Sequence, residues 1–473
     1  MRKTKIVCTV GPATESEETL RELMKSGMDV ARFNFSHSDY EVDEKRFHII
    51  RKISDELGLH VATMLDTKGP EIRLKEFEDD KPVYVKDGEE FTLTVRDVVG
   101  TDKICSVTFA NLPKDVTAGT KILINDGLIE MQVKTVTATD VICTVIHGGE
   151  LKNHKGINIP GVKLSMPYIS DADMKDLQFG AKMDFDFIAA SFVRSGADVI
   201  YLRKFTEALG WSHVRIIAKI ENSEGVENID EILEAADGVM VARGDMGVEI
   251  PFEKIPAIQK ELIHKAYNAG KQVITATQML ESMITNPRPT RAEITDVANA
   301  IYDGTSAIML SGETAAGHFP VEAVKTMALI AETTEKNINY RKLFEHRDED
   351  IEPGVTEAIS HATVTTAHDL NAAAIITVTK GGTTARRLSK FRPSCPIISL
   401  TTSEKTARQM NMSWGLVPGI IEEHSNTDQL IDAAVHKAVD MGILKLGDLV
   451  VATAGVPLGV SGNTNLMRVE TVK

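Results

Sequence analysis

The strongest constraint on the fold is a unit that recurs eight times along the chain. Each unit is a short apolar strand, one or two polar residues at its end, and then an amphipathic helix. The predicted strands are Ile6–Val10, Val30–Phe33, Val61–Leu65, Phe187–Ala190, Ile216–Ala218, Val239–Ala242, Val273–Thr275 and Ala307–Leu310. Eight strand-helix units predict an α/β fold, the (β/α)8 TIM barrel. Since the carboxyl ends of barrel strands share one face, the polar residues that follow the strands should meet there.

Local signals support the intervening helices. The segments Thr14-Glu15-Ser16-Glu17 and Thr290-Arg291-Ala292-Glu293 both fit the capping-box pattern of a helix start. Gly27 and Gly58 stand where helices should end. We therefore expect helices to begin near Thr14 and Thr290.

The alternation of strands and helices stops between the third and fourth predicted strands. From 70 to 166 the chain runs in β-rich segments such as Phe91–Val95, Ile104–Phe109 and Ile122–Ile124, and Asn125-Asp126-Gly127 is a strong hairpin signal. This pattern predicts a small β-barrel domain, residues 70–166, inserted at the active face as a lid. The barrel domain would then consist of residues 1–69 and 167–344.

A second α/β pattern follows the barrel. The strands Ala374–Val378, Ile397–Leu400 and Leu449–Ala452 alternate with helical stretches, which predicts a C-terminal α/β domain over 355–473. The charge run from Glu345 to Asp350, followed by Pro353-Gly354, is typical of a solvated linker.

Charge and cysteine content exclude several classes of protein. The formal net charge of −15 argues against nucleic acid or an anionic membrane as the main partner. The four cysteines lie far apart without a Cys-x-x-Cys motif, so neither a zinc site nor a disulfide framework is indicated. No segment approaches the roughly 20 apolar residues of a membrane span, and the amino terminus does not resemble a signal peptide. We expect a soluble cytoplasmic protein.

Two of the predicted strands are followed by charged residues. Lys219 and Glu221 follow one strand, and Asp245 follows the next. Two carboxylates with few other ligands suit Mg²⁺, and a lysine beside them suits a phosphoryl group in transfer. Taken alone, these residues favour ordinary ion pairs at strand ends over a metal site.

Seven motifs stand in order at the ends of predicted barrel strands. They are Thr9-Val10-Gly11-Pro12-Ala13, Ala31-Arg32-Phe33-Asn34-Phe35-Ser36-His37, Asp66-Thr67-Lys68-Gly69-Pro70-Glu71-Ile72-Arg73, Lys219-Ile220-Glu221-Asn222, Ala242-Arg243-Gly244-Asp245, Ala276-Thr277-Gln278-Met279-Leu280 and Ser311-Gly312-Glu313-Thr314-Ala315. With them, the chain from Lys3 to Val469 resembles the pyruvate kinases. The resemblance implies transfer of a phosphoryl group from phosphoenolpyruvate to ADP, yielding pyruvate and ATP.

The resemblance also implies roles for individual residues. Lys219, Arg32 and Thr277 would be catalytic, and Gly244 and Asp245 would join them in binding phosphoenolpyruvate. Thr277 would bind the substrate carboxylate or pass a proton to the enolate through water; the sequence leaves both roles open. The residues implied to contact the nucleotide are Asn34, Arg73 and Lys155.

Two kinds of metal ion are implied as cofactors. Glu221 and Asp245 would hold Mg²⁺ or Mn²⁺. Potassium would bind oxygen atoms at the ends of the second and third strands, supplied by Asn34, Ser36, Asp66 and Thr67. Relatives with glutamate at the position of Glu71 tend to require K⁺, so Glu71 indicates potassium dependence.

A glycine- and threonine-rich turn follows the strand Ala374–Val378. It comprises Thr379, Lys380, Gly381, Gly382, Thr383 and Thr384, and it leads into the predicted helix Ala385–Lys390. Backbone amides and hydroxyls at a helix amino terminus favour a phosphate, although an ordinary loop has the same composition. The turn resembles the effector loop of pyruvate kinases, and Gly455 to Asn465 resembles the facing loop. A phosphorylated sugar or nucleotide is the implied effector, and a homotetramer the implied assembly.

Two alternatives to phosphoryl transfer remain at this point. One is another barrel enzyme of enolpyruvate chemistry, such as a metal-dependent aldolase or lyase, which should not need a nucleotide lid. The other is a catalytically silent metabolite sensor. The intact set of Lys219, Glu221, Asp245 and Thr277 counts against the sensor.

Overall fold

The computed structural model describes residues 1–345, 354–458 and 463–473. Numbered in chain order, the strands are β1 (Lys5–Thr9), β2 (Val30–Asn34), β3 (Ala62–Asp66), β4 (Ile72–Arg73), β5 (Val83–Val85), β6 (Glu90–Thr94), β7 (Ile104–Ser106), β8 (Lys121–Ile124), β9 (Ile129–Val136), β10 (Asp140–His147), β11 (Gly149–Leu151), β12 (Gly156–Asn158), β13 (Phe187–Ala190), β14 (Arg215–Ile220), β15 (Gly238–Ala242), β16 (Gln272–Ala276), β17 (Ala307–Leu310), β18 (Ala374–Val378), β19 (Ile397–Thr401), β20 (Leu416–Ile420), β21 (Leu449–Gly455) and β22 (Thr464–Thr471).

The helices are numbered in the same way. They are α1 (Glu17–Ser26), α2 (Tyr40–Glu56), α3 (Leu112–Asp115), α4 (Asp171–Met183), α5 (Gly196–Ala208), α6 (Ser223–Glu227), α7 (Ile229–Ala235), α8 (Arg243–Glu249), α9 (Ile255–Asn268), α10 (Arg291–Tyr302), α11 (Gly312–Ala315), α12 (Pro320–Lys336), α13 (Tyr340–Glu345), α14 (Val355–Asp369), α15 (Thr383–Lys390), α16 (Glu404–Met410) and α17 (Thr427–Asp440). Within the described residues, no helix is both long enough and apolar enough to cross a membrane.

Eight parallel strands close into a barrel in the order β1-β17-β16-β15-β14-β13-β3-β2. The (β/α)8 prediction is therefore confirmed, strand by strand. Side chains alternate along each strand between the barrel interior, as for Val7 and Met64, and the layer under the helices, as for Ile6 and Leu65. Burial on both faces explains why these strands are continuous apolar runs.

The segment between β3 and β13 forms its own β structure. Seven strands pair in the order β4-β12-β8-β9-β10-β6-β7, and an isolated bridge between Leu74 and Val107 joins the two outer ends of this sheet. The sheet thus closes on itself around a separate apolar core. The predicted turn at Asn125 joins β8 to β9, with Asn125 and Asp126 both at φ 56°. The outer boundaries at 70 and 166 stay a prediction.

The C-terminal domain is a five-stranded sheet in the order β20-β19-β18-β21-β22. The first four strands are parallel, whereas β22 pairs with β21 in antiparallel fashion. The sequence predicted β18, β19 and β21 but missed β20 and β22. The predicted linker falls mostly on 346–353, outside the described residues, as do 459–462 of the second predicted effector segment.

The helix-start predictions had different outcomes. Thr290 is the N-cap of α10 and forms the predicted capping box with Glu293. The capping box predicted at Thr14 is wrong, because Ser16 is the N-cap of α1 and accepts the Thr19 N–H. Thr14 instead ends a short 3-10 turn and bonds to Gly11. Gly27 ends α1 as predicted, at φ 120°.

Candidate active site

Lys219, near the carboxyl end of β14, lies at the centre of a buried polar cluster. Its ammonium nitrogen lies 3.0 Å from Asp66 Oδ1, 2.9 Å from Glu221 Oε1 and 2.6 Å from the Ser191 hydroxyl. Asp66 ends β3, Glu221 follows β14 and Ser191 follows β13, and these three strands are neighbours in the barrel. The barrel therefore brings Lys219 into contact with a carboxylate 153 positions away in the sequence.

Asp66 holds two cations at once. Its second carboxylate oxygen accepts a hydrogen bond from Arg32 Nε at 2.6 Å, and Arg32 Nη1 donates to the Thr9 hydroxyl at 2.8 Å. Burial alone would raise the pKa of Asp66, but the charges of Arg32 and Lys219 more than offset this and lower it. Asp66 is therefore ionised, and it fixes both cations in one orientation.

The same pairing sets the charge state of Lys219. Burial alone would lower the pKa of its ammonium group, but Asp66 and Glu221 more than offset this and raise it. Lys219 is thus a permanent cation in a site of low polarity, where a charge acts more strongly than in water. This geometry suits electrostatic stabilisation and does not suit a general base.

Glu221 is buried, and Lys219 balances its negative charge only in part. It is only 1% exposed, and its Oε2 accepts the Phe192 N–H at 2.6 Å. Burial raises the pKa of Glu221 to about 7, and the charge of Asp245 adds to this rise while Lys219 opposes it. Asp245 is exposed on the first turn of α8. Within the described residues, no group of three or more His, Cys, Asp or Glu side chains is arranged to hold a metal ion.

Thr277 and Gly244 form a second part of the site. Gly244 N–H donates to Thr277 Oγ1 at 2.8 Å, and that hydroxyl donates to the Ala276 carbonyl at 2.6 Å. Thr277 and Gln278 have φ values of 70° and 54°, an unfavourable conformation for side-chain-bearing residues. Arg243 holds this turn, donating to the Thr277 carbonyl at 2.7 Å. The strain is typical of functional sites, where surrounding contacts enforce the geometry.

Two clefts open beside the predicted site residues. One, of about 850 Å³, lies between the barrel and the inserted domain and is lined by Arg73, Lys155 and Asp245. The other, of about 990 Å³, is lined by Gly244, Asp245 and Thr277. Asp245 borders both clefts, so its exposed carboxylate is accessible from either one.

Arg73 is not free in this arrangement. Its Nε donates to Glu71 Oε2 at 2.8 Å, and its Nη1 donates to the His154 carbonyl at 2.8 Å. The lid residue Lys155 is next to His154, and its carbonyl accepts the Leu74 N–H. Glu71 thus pairs with the predicted phosphate-binding arginine, a contact that the sequence did not predict.

The predicted potassium ligands lie together at the ends of β2 and β3. Asn34 and Asp66 are paired in register across the two strands, and Asn34 Oδ1 accepts the Ser36 N–H at 3.3 Å. Thr67 donates its backbone N–H to the Ala189 carbonyl, and its own carbonyl accepts the Ser191 hydroxyl at 2.7 Å. The four residues thus lie at the ends of two neighbouring strands, and Asp66 is also bound to two cations.

The predicted effector residues surround the amino terminus of α15. Gly382 caps the helix at φ 76°, and its N–H donates to Thr379 Oγ1 at 3.1 Å. Thr379, Lys380 and Thr384 line a cleft of about 730 Å³, whereas the remaining predicted residues form the turn itself: Gly381, Gly382 and Thr383. Thr464, from the facing segment, also lines the cleft and hydrogen-bonds to Thr384.

Several site residues had no assigned role in the sequence analysis. Ser191 and the Phe192 amide contact Lys219 and Glu221, and Thr9 orients Arg32. The sequence did contain indications of Ser191 and Thr9 as site residues, since Ser191 follows a predicted barrel strand and Thr9 belongs to the first motif. Glu313 is fully buried and accepts the N–H groups of Leu280 and Ser311. It therefore fixes the loop that follows Thr277.

Comparisons with known proteins agree over the whole chain. A family model described as the pyruvate kinase barrel domain matches residues 1–324, and one described as the pyruvate kinase alpha/beta domain matches 357–470. The chain is 51% identical over 473 residues to a pyruvate kinase of Geobacillus stearothermophilus, with 100% of this chain and 80% of the relative covered. It is 48% identical over 474 residues to one of Clostridium acetobutylicum, with both proteins covered completely.

A solved structure leads to the same assignment. The crystal structure of a pyruvate kinase from Cryptosporidium parvum matches with a TM-score of 0.94 and 41% sequence identity, covering 100% of this chain and 96% of that chain. The chain therefore belongs to the pyruvate kinase family, whose members are phosphotransferases of glycolysis.

Proposed function

We propose that the chain transfers the phosphoryl group of phosphoenolpyruvate to ADP at the cluster around Lys219. The phosphorus–oxygen bond of the enol phosphate breaks, and a bond to a terminal phosphate oxygen of ADP forms. The enolate that remains takes a proton at carbon and becomes pyruvate. The observation that carries this proposal is the buried ammonium of Lys219, held by Asp66 and Glu221, together with the two clefts that Asp245 borders.

Lys219 stabilises the negative charge that develops on the phosphoryl and enolate oxygens. Its charge is fixed in place before reaction, so little reorganisation is required as the bond breaks. Arg32 presents its guanidinium to the phosphoryl group, oriented by Asp66 and the Thr9 hydroxyl. The Gly244 amide would bind the substrate carboxylate. The Thr277 hydroxyl would bind the same carboxylate or pass a proton to the enolate through water.

Glu221 and Asp245 fit a divalent cation, Mg²⁺ or Mn²⁺. Both are hard oxygen donors, and a magnesium site uses one or two carboxylates together with substrate oxygens. Burial of Glu221 near a second carboxylate leaves negative charge that a cation would neutralise. When bound, the ion supplies positive charge to the oxygens of the transferring and leaving groups.

The adenine nucleotide would occupy the cleft between the barrel and the inserted domain. Arg73 and Lys155 line this cleft and carry positive charge toward the nucleotide phosphates. Asn34 lies at the end of β2 on the same barrel face. The inserted domain then acts as a lid that excludes water during transfer.

Potassium is the second proposed cofactor. Asn34, Ser36, Asp66 and Thr67 supply oxygen atoms at adjacent strand ends. A monovalent cation there would add positive charge near the substrate phosphates. Further proposals from family membership are a phosphorylated sugar or nucleotide effector at the Thr379–Thr384 turn, a homotetramer and a cytoplasmic location.

Product analysis tests the proposed reaction. The purified chain, with phosphoenolpyruvate, ADP, Mg²⁺ and K⁺, should form ATP and pyruvate in equal amounts, and a chelator should stop both. A lyase or aldolase would act without forming ATP, and a silent sensor would form neither product. None of the relatives described above belongs to those classes, so phosphoryl transfer is favoured over both alternatives.

A further inference from the structure

A small cavity lies at the opposite end of the barrel from the active site, against the C-terminal domain. It measures about 20 Å³, enough for one water-sized ligand. Its barrel wall is the loop from α9 to β16 and the residue before β17, and its other wall is the end of α15. Its polar lining is rich in cations: Lys271, Arg386, Lys390 and Arg392.

The guanidinium of Arg392 is incompletely bonded. The residue is 7% exposed, and its Nη2 donates to the Gly304 carbonyl at 2.8 Å. Its Nε and Nη1 are buried and have no hydrogen-bond partner within the described residues. The guanidinium carbon lies 4.5 Å from the Trp414 ring centroid, a contact that offers no hydrogen-bond acceptor in the plane of the group. Arg392 also adopts a left-handed backbone conformation, with φ at 49°.

The cavity is short of negative charge. No carboxylate lines it, and within the described residues Lys271, Arg386 and Arg392 form no salt bridge. Lys271 and Arg386 donate to the carbonyls of Ala236 and Gly381. Burial lowers the pKa of both Arg386 and Arg392 to about 9, and the charges of Asp237 and Glu335 offset this only in part.

The carboxylates that interact electrostatically with these cations also form other contacts. Glu357 pairs with Lys390 at 2.7 Å, and Asp237 pairs with Arg215, also at 2.7 Å. Glu335 accepts the backbone N–H groups of Lys3 and Thr4. A buried water would satisfy the guanidinium N–H groups but would leave the positive charge in place.

We propose that this cavity binds one small inorganic anion of the halide class, which joins the base of the barrel to the C-terminal domain. The cavity volume limits the ligand to a monatomic ion, and the unbonded N–H groups of Arg392 provide donors for it. Arg386 extends from this cavity to the Gly381 carbonyl in the predicted effector turn. A bound anion therefore stabilises the packing of α15 on the barrel.

Anomalous diffraction tests the location. Crystals of the full chain grown in potassium bromide should show a bromine anomalous peak within contact distance of the Arg392 guanidinium. Absence of a peak there, with density that refines as water, would overturn the proposal.

Thermal unfolding tests the contribution in solution. At equal ionic strength, potassium chloride or bromide should raise the midpoint of unfolding of the full chain above its value in potassium glutamate. Arg392→Gln and Lys271→Gln should reduce this halide-specific increment. Arg408→Gln is the matched control, because Arg408 also joins the two domains but pairs with Asp186 and does not line the cavity. An increment of the same size in Lys271→Gln or Arg392→Gln as in the unchanged chain would refute binding at this cavity.

Discussion

The ammonium of Lys219 and the carboxylate of Glu221 lie 2.9 Å apart, and both groups are buried beneath the carboxyl end of the barrel. Lys219 is also bound to Asp66, so one cation is shared by two carboxylates. Arg32 also pairs with Asp66, so the two cations balance Asp66 and Glu221, and the nearby carboxylate of Asp245 adds negative charge in excess. A site of this kind accepts a further cation from solution, which is the basis for placing a divalent ion at Glu221 and Asp245.

Stability should respond to pH through Lys3. Burial lowers the pKa of Lys3 to about 8 from an ordinary value of 10.5, and Glu335 offsets this only in part. Between these two values the unfolded chain binds more protons than the folded chain, so the folded state gains stability as pH rises. The Tm of the unchanged chain relative to Lys3→Met should therefore increase between about pH 8 and about pH 10.5.

A matched control separates this effect from other groups. Lys25→Met alters an exposed lysine paired with Glu22 and should not reproduce the change. A difference between the unchanged chain and Lys3→Met that is constant with pH would contradict the role of Lys3.

The contact between Arg408 and Asp186 should be a major determinant of stability. Asp186 has no exposed surface, and Arg408 Nε lies 3.0 Å from its Oδ1. Arg408→Gln should lower the free energy of unfolding by roughly 3 kcal/mol. This is the lower end of the range for breaking a buried ion pair, because Arg51 still pairs with Asp186 in the variant. Denaturant unfolding measures this cost. Arg21→Gln, at an exposed pair with Glu56, should lower the free energy of unfolding much less, and equal losses in the two variants would refute the interpretation.

Much of the fold follows from periodicity, but the site depends on closure of the barrel. The eight strands were predictable because each is buried on both faces and ends in a polar residue. The pairing of Asp66 with both Arg32 and Lys219 was not predictable, since it joins residues 34 and 153 positions apart. The Glu71 to Arg73 pair was not predicted either, although residues two positions apart in an extended segment point to the same face.

The missed strands have a similar physical explanation. β20 contains Pro418 and Gly419, which disfavour a strand in sequence terms, yet both are buried beside β19. β22 is largely half-exposed and lies at a sheet edge, so it lacks a continuous apolar pattern. Neighbouring structure, and not local preference, determines these elements.

Potassium should activate the reaction strongly. With saturating Mg²⁺, activity in K⁺ should exceed activity in a quaternary ammonium salt of equal ionic strength. Glu71→Lys should reduce this activation, because the ammonium group of the new side chain would supply positive charge in place of the potassium ion. Glu71→Gln is the control, since it releases Arg73 in the same way without adding a cation. Full activity of the unchanged chain without any monovalent metal ion would exclude potassium dependence.

A phosphorylated effector should act through the turn before α15. Binding should lower the half-saturating phosphoenolpyruvate concentration by about 5- to 150-fold, the range for couplings of about 1–3 kcal/mol. Calorimetry with phosphorylated sugars and nucleotides should detect binding that is weakened by Thr383→Ala and Thr384→Ala. Ser16→Ala, which removes the N-cap of a barrel helix, is a control for general destabilisation. Unchanged binding in both threonine variants would place the effector elsewhere.

The phosphoryl-transfer rate of Lys219→Met tests the central claim most directly. The substitution roughly keeps the side-chain volume and removes the charge aimed at the transferring group, while Lys182→Met changes an exposed lysine as a control. Phosphorus NMR of ATP formation from phosphoenolpyruvate and ADP should show a rate lower by about 10²–10³ in Lys219→Met, with unchanged circular dichroism. A folded Lys219→Met variant that forms ATP at the rate of the unchanged chain would contradict the proposed mechanism.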